Sequence, residues 1–200
     1  MHEYSLTHHD RTKIYYFIGL LSAVLSTGIS LWLNKIDSLV NVSIAAPSGM
    51  VVFLGVFLLF DKFIWKWLPM YRLGIVKIPN VSGVWKGKLD SSLDDNLYDV
   101  VLTITQTYTK IRLRLDTATS SSKSHMATIE KVDDSRFTLR WEYFAEPTTP
   151  LNSNQFRHYG VTMTLIDGND GDFKSTMNAT YYTEMDRDTS GTIALTYEGK

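Results

Sequence analysis

Two uncharged stretches near the start of the chain limit what it can fold into more than any other feature. Residues 14–33 read IYYFIGLLSAVLSTGISLWL and residues 40–60 read VNVSIAAPSGMVVFLGVFLLF, with six residues between them. A helix rises about 1.5 Å per residue, so each run is long enough for the roughly 30 Å hydrocarbon core of a bilayer. Uncharged runs of this length argue for membrane spans over buried core helices. Together they predict a two-helix transmembrane hairpin, and a second span so soon after the first argues against a cleaved signal peptide. Tyr15, Tyr16 and Trp32 border the first run, and Trp65, Trp67 and Tyr71 follow the second, as an interfacial aromatic belt would. Arg11, Lys13, Lys62, Lys66, Arg72 and Lys77 flank the hairpin on its terminal side, against Lys35 alone in the loop. That asymmetry predicts two spans with both termini cytoplasmic. Ser22 and Ser26 have the small-xxx-small spacing that lets helices approach closely, within one hairpin or between copies. Neither run holds an ionisable residue, which argues against a proton relay or ion-coupled transport.

Pro69 and Pro79 punctuate an amphipathic connector, residues 61–79, and beyond it the pattern changes. Polar and apolar residues alternate over 82–89, 97–107, 109–117, 124–132, 136–144, 158–166, 173–183 and 189–197. Turn residues separate these segments: Asp94-Asp95-Asn96, Asp133-Asp134-Ser135, and the stretches 147–155, 167–172 and 186–188. Eight closely spaced strands predict an all-β domain, an eight-stranded up-and-down antiparallel β-barrel, with a two-sheet sandwich as the alternative. The chain divides into a membrane hairpin with its connector, residues 1–79, and a cytosolic β-barrel domain, residues 80–200. Parity places Val100, Leu102 and Ile104, then Ile111, Leu113 and Leu115, then Phe137, Leu139, Trp141 and Tyr143 on inner faces. Polar outer faces make this a soluble barrel, not an outer-membrane one. Gly83-Val84-Trp85 resembles the G-x-W start of lipocalin-like barrels, in which the tryptophan plugs the closed end.

Composition removes whole classes of chemistry. The chain has 200 residues, no cysteine and a formal net charge of −1. No disulfide scaffold, cysteine zinc finger, iron–sulfur cluster or thiol nucleophile is possible. The charge argues against a DNA- or RNA-binding protein. Histidines 2, 8, 9, 125 and 158 show no metal-ligand spacing, and no G-x-S-x-G, P-loop or G-x-G-x-x-G motif occurs. The 167–172 loop has calcium-site flavour, but its glycine sits at the fifth position and no glutamate closes it, so a turn explains it better. Three N-x-[ST] triplets, starting at Asn41, Asn80 and Asn178, occur. Nothing indicates an enzyme, a cofactor or a metal.

A binding site is better supported. Arg140 stands beside Trp141 and Tyr143, and Arg187 follows Tyr181 and Tyr182. Arginine grips phosphate bidentately and an aromatic face stacks on a base. Arg140 opposes Trp141 in parity and so also reads as a solvent-facing residue. The candidate ligand residues are therefore Arg187, Tyr181, Trp141, Tyr143 and Arg140.

The order of two spans, basic connector and threonine-rich barrel resembles the SMODS-associating two-transmembrane, β-strand-rich effectors of bacterial CBASS antiphage systems. Residues 80–87, NVSGVWKG, and the closing Tyr181-Tyr182-Thr183, Arg187 and Ser190-Gly191-Thr192-Ile193 carry the likeness along with the spans. The resemblance implies that the barrel is a sensor domain that binds a cyclic di- or oligonucleotide made by a partner CD-NTase-type nucleotidyltransferase. Binding would then drive homo-oligomerisation, and clustered hairpins would disrupt the inner membrane and kill the infected cell. The alternative reading of the residues is a membrane-anchored, lipocalin-like carrier of a lipid or other small apolar ligand.

Overall fold

The computed structural model describes residues 1–40, 45–94, 96–133, 135–148, 157–168, 173–185 and 187–199. Parts of the second apolar run and of the 147–155, 167–172 and 186–188 turns lie outside the described residues, as do the whole Asn41 triplet, Asp95 and Asp134.

Helix α1, Arg11–Val40, continues through the six residues expected to form the loop. Its segment Arg11–Asp37 is long and apolar enough to cross a membrane. The second run differs from expectation. It is not one continuous helix: residues 45–48 are non-helical, and α2, Gly49–Lys62, has 14 residues. At about 1.5 Å per residue α2 falls short of the hydrocarbon thickness. The cause is local, because Pro47 lacks an N–H and the Ser48 side chain caps the helix by accepting from Val51 N. The two helices lie antiparallel. Tyr15 meets Phe57 edge-on at 5.9 Å, and Gly49 lies beside the Ser26 hydroxyl. Ser22 is 2% exposed and donates to the Ile18 carbonyl at 2.6 Å, which satisfies its hydroxyl within the helix. A 3₁₀ turn, Ile64–Lys66, and the short α3, Leu68–Arg72, lead to the barrel.

Eight strands form that barrel: β3 Gly83–Ser91, β4 Leu97–Gln106, β5 Lys110–Asp116, β6 Ser120–Lys131, β7 Arg136–Pro147, β8 His158–Asp167, β9 Thr176–Thr183 and β10 Ser190–Gly199. Neighbours pair antiparallel, β10 closes on β3, and β5 meets β6, so the sheet is continuous rather than split into a sandwich. The outer face is mainly polar; exposed apolar side chains are concentrated along β8, at Tyr159, Val161, Met163 and Leu165, with Tyr182 of β9 and Met126 of β6 also open.

Closure at β5–β6 is incomplete without the N-terminus. These strands pair directly only from Arg114↔Lys123 to Asp116↔Ser121. Nearer the helices they separate, and two short strands fill the gap: β1, His2–Glu3, pairs with β5, and β2, Ser5–Leu6, pairs with β6. The polar tail of the sequence is thus part of the barrel wall. Tyr4 is 3% exposed and donates to the Tyr108 carbonyl at 3.0 Å. Burial pushes the Tyr4 phenol up to about 12, so it remains a donor at neutral pH.

The β4–β5 turn is clasped by the helices. Tyr108 is fully buried, its ring edge-on to Phe60 at 4.9 Å and its hydroxyl 2.7 Å from His9 Nε2. Asp61 Oδ1 accepts from both the backbone N–H and the hydroxyl of Thr109 at 2.8 and 2.7 Å. Above this joint the lower barrel is packed with apolar side chains. Trp85 is fully buried, donates Nε1–H to the Val81 carbonyl at 3.1 Å and packs edge-on to Tyr197. This end of the barrel is closed.

Candidate ligand pocket

The other end is hollow. A cavity of about 560 Å³ opens where β3, β5, β7 and β9 finish and β4, β6, β8 and β10 begin. That volume lies within the roughly 300–1,000 Å³ range of small-molecule sites. Most strands change character along their length: inner positions are apolar toward the helices and gain hydroxyl-bearing and aromatic residues toward the mouth, while Leu89, Leu115, Ala145 and Ile193 keep part of the wall apolar. On β6 the inner positions there are Ser120 and Ser122; on β8 and β9 they include Thr162 and Thr183.

Strand register puts the aromatics in steps. Trp141 pairs with Thr162, Thr162 with Tyr181, and Tyr181 with Gly191, giving one row across four strands. Tyr143 pairs with Gly160 in the next row toward the mouth. A Cβ at Gly160 would overlap the Tyr143 hydroxyl, and one at Gly191 would crowd the Tyr181 ring and the Asp90 carbonyl. The two glycines are what let the two tyrosines lie across the wall. Burial raises the Tyr143 phenol above its ordinary range, with the Tyr181 ring adding to the rise. It is therefore a neutral donor in any physiological buffer.

Arg187 is aimed by its turn. The Thr183 hydroxyl accepts from Thr189 N at 2.9 Å, and the Arg187 and Asp188 amides both donate to the Glu184 carbonyl. Asp188 takes a left-handed φ of 44°, which aspartate tolerates better than most residues. The guanidinium reaches into the mouth with Nη1 3.2 Å from His158 Nδ1, so the imidazole there acts as acceptor. Tyr98 donates to Asp94 Oδ2 at 2.6 Å; that bond raises the phenol and holds the Asp94 carboxyl below its usual range. Among the described residues no carboxylate lines the cavity and Arg187 is its one fixed cation. The barrel's sequence is acidic overall, so this cup is an electropositive exception suited to an anion.

Of the five sequence-derived candidates, Arg187, Tyr181, Trp141 and Tyr143 line this cavity. Arg140 does not: it sits on the exposed outer face, because adjacent residues of a strand point to opposite sides. Sequence reasoning missed Tyr98, His158, Thr162 and the serines of β6. From sequence, His158 stands out only as a possible metal ligand, and among the described residues no cluster of three or more metal-binding side chains occurs.

Comparisons with known proteins give matches in both parts of the chain. A family model described as "Cap15, cyclic dinucleotide receptor domain" matches residues 76–197, and one described as "Cap15, TM helices" matches residues 12–66. Among curated proteins, "CD-NTase-associated protein 15" of Yersinia aleksiciae is 27% identical, over 94% of this chain and 92% of that protein.

Proposed function

The chain belongs to the Cap15 cyclic dinucleotide receptor family, and from that premise we propose that its barrel is the sensor of a membrane-bound antiphage effector. A cyclic di- or oligonucleotide enters the open end; one phosphate meets Arg187, while Trp141, Tyr181 and Tyr143 offer ring faces and hydroxyls to the bases and sugars. The messenger comes from a CD-NTase-type nucleotidyltransferase. The observation that carries this reading is a cup in which, among the described residues, no carboxylate and one guanidinium stand with many hydroxyls, an arrangement wasted on a purely apolar cargo. A lipocalin-like carrier of lipid has no use for a cation in its cup, and here Arg187 stands among the hydroxyls of Tyr98, Tyr143, Tyr181 and Thr183, beside an apolar wall of Leu89, Leu115 and Ile193 that suits the faces of bases.

Residues 12–66 supply the membrane region of the same effector. We read it as two spans with both termini cytoplasmic and residues 80–200 as the cytosolic sensor, with the strap of residues 2–6 built into the barrel wall. Ligand binding favours self-association, because a ligand moves an equilibrium only by its differential affinity for the two states. Clustered hairpins then breach the inner membrane. No step requires the chain to act as an enzyme, and its other partners are lipid and further copies of itself.

The test is binding of cyclic dinucleotides to the detergent-solubilised full chain, by calorimetry and thermal shift. We expect saturable binding that Arg187→Ala weakens about 100-fold, the size of two charge-assisted hydrogen bonds, with little change in melting temperature of the free protein. Equal affinity in Arg187→Ala, or stabilisation by fatty acids instead of nucleotides, overturns the assignment.

A further inference from the structure

The connector between α2 and β3 has two faces. On the inner one Trp65, Val76 and Ile78 are buried, and Tyr71 packs edge-on to Phe173 at 5.3 Å. On the outer one Phe63, Trp67 and Leu73 are 61%, 59% and 71% exposed, with Leu68 and Ile75 also open. The buried residues alternate closely with the exposed ones, so the outer set is held outward by the packing of its neighbours. Large apolar residues presented together in this way mark a contact surface.

Charge selects the partner. From Lys62 to Leu89 the sequence contains no acidic residue, and Lys62, Lys66, Arg72 and Lys77 all fall within the connector. Asp61, just before it, is buried against Thr109 and offers nothing to the surface. A second copy docking through the same face would meet it with charges of the same sign. An anionic leaflet complements both properties at once, since basic and aromatic residues favour the headgroup layer of such a membrane. The face also begins at Phe63, directly after α2 ends at Lys62, so it continues from the membrane region without a break.

We infer that residues 63–75 form a foot that seats the closed end of the barrel in the headgroup layer of an anionic leaflet. This rests on the reading of α1 as a membrane span, yet neither family match covers residues 67–75. The pocket opens at the opposite end of the strands, so a seated barrel presents its mouth to the aqueous side. Tyr108 and Asp61 join the helices to the barrel at this same closed end, and the foot would stop it from tilting about that joint.

The chain lacks cysteine, so single-cysteine variants can be labelled at one site each. The full chain, carrying a nitroxide at Leu20→Cys, Leu73→Cys or Leu97→Cys, is reconstituted in phosphatidylcholine vesicles with and without phosphatidylglycerol. All three positions are exposed: Leu20 on α1, Leu73 on the foot, Leu97 at the far end of the barrel. Accessibility to oxygen relative to a water-soluble nickel chelate reads depth. The expected result is an immersed Leu20 site, an aqueous Leu97 site, and a Leu73 site at headgroup depth only when anionic lipid is present. Arg72→Glu and Lys77→Glu should each lower the docked ratio roughly five-fold. An immersed Leu20 site with Leu73 as aqueous as Leu97 overturns the foot and leaves the span intact. An aqueous Leu20 site with an immersed Leu73 site overturns the span and keeps the foot as a peripheral contact. If both are aqueous, both readings fall. Equal immersion of Leu73 in neutral vesicles overturns the choice of an anionic leaflet.

Discussion

The two ends of the barrel are made from the same eight strands and serve opposite purposes. Toward the helices the inward positions are Trp85, Leu102, Phe137, Leu139 and Ile166, all at most 2% exposed, and the space is filled. Toward the mouth the same strands turn Ser122, Thr162, Tyr181 and Thr183 inward around a cavity of about 560 Å³. Apolar burial supplies most of a domain's stability, so the filled end carries the fold and the hollow end is free to carry polar groups. The β strand makes this division possible, because its two-residue period fixes which side chains point in but not whether they are apolar.

Substitutions at the two ends should separate. Trp85→Ala leaves a cavity in the filled end and should cost about 3–5 kcal/mol, which a denaturant titration of the solubilised chain will register as a large drop in midpoint. If the midpoint barely moves, the filled end is not what holds the barrel. Gly160→Ala acts at the hollow end by forcing the Tyr143 ring off its seat. It should cost roughly 1–3 kcal/mol through overpacking, and it should weaken nucleotide binding as well. A stability loss with unchanged binding would separate Tyr143 from the ligand. Tyr4→Phe removes one hydrogen bond from the strap to the Tyr108 carbonyl and should cost about 1 kcal/mol, with the nucleotide affinity of the folded chain unaltered. A change in that affinity would show that the strap and the pocket are coupled through the β5–β6 seam.

The filled end was also the legible end. Alternation of Val100, Leu102 and Ile104, or of Phe137, Leu139 and Trp141, exposes period two directly, and all eight strands were readable within a few residues. Strand β6 shows where this stops. It begins at Ser120, four residues before the alternation becomes visible, because strand that lines a polar cup has no apolar residue to alternate. A bulge between Ser124 and Met126 then switches the inward parity from Ser122 and Ser124 to Ala127 and Ile129, which no fixed period predicts. The strands β1 and β2 have two residues each, too short to show any period. Four of five candidate pocket residues could be named from composition near aromatics, whereas Tyr98 and His158 required knowing which strand ends share the open mouth. That is a property of barrel closure and not of any segment. The second apolar run hid its helix boundary for the complementary reason: it is uncharged throughout its 21 residues, while Pro47 and Ser48 set the start of α2.

The smallest expected effect probes how dry the joint beneath the filled end is. His9 lies against Tyr108, and burial lowers its imidazole from about 6.5 to about 4, with the nearby Arg11 and Lys77 charges pushing the same way. In the unfolded chain His9 gains a proton as pH drops below about 6.5, and in the folded protein it does so only near 4. The unfolded state therefore binds more protons across that window, so stability is fully present above about 6.5 and is lost as pH falls toward 4. Thermal melts of the solubilised chain should show a midpoint that declines by a few degrees between those limits, and His9→Gln, which does not titrate, should flatten the decline. The polar mouth makes the contrast: Arg187→Ala, at the other end, should leave the slope as it is. An unchanged slope in His9→Gln would mean that water reaches the joint and that the barrel is less firmly sealed against its helices than the burial of Tyr108 implies.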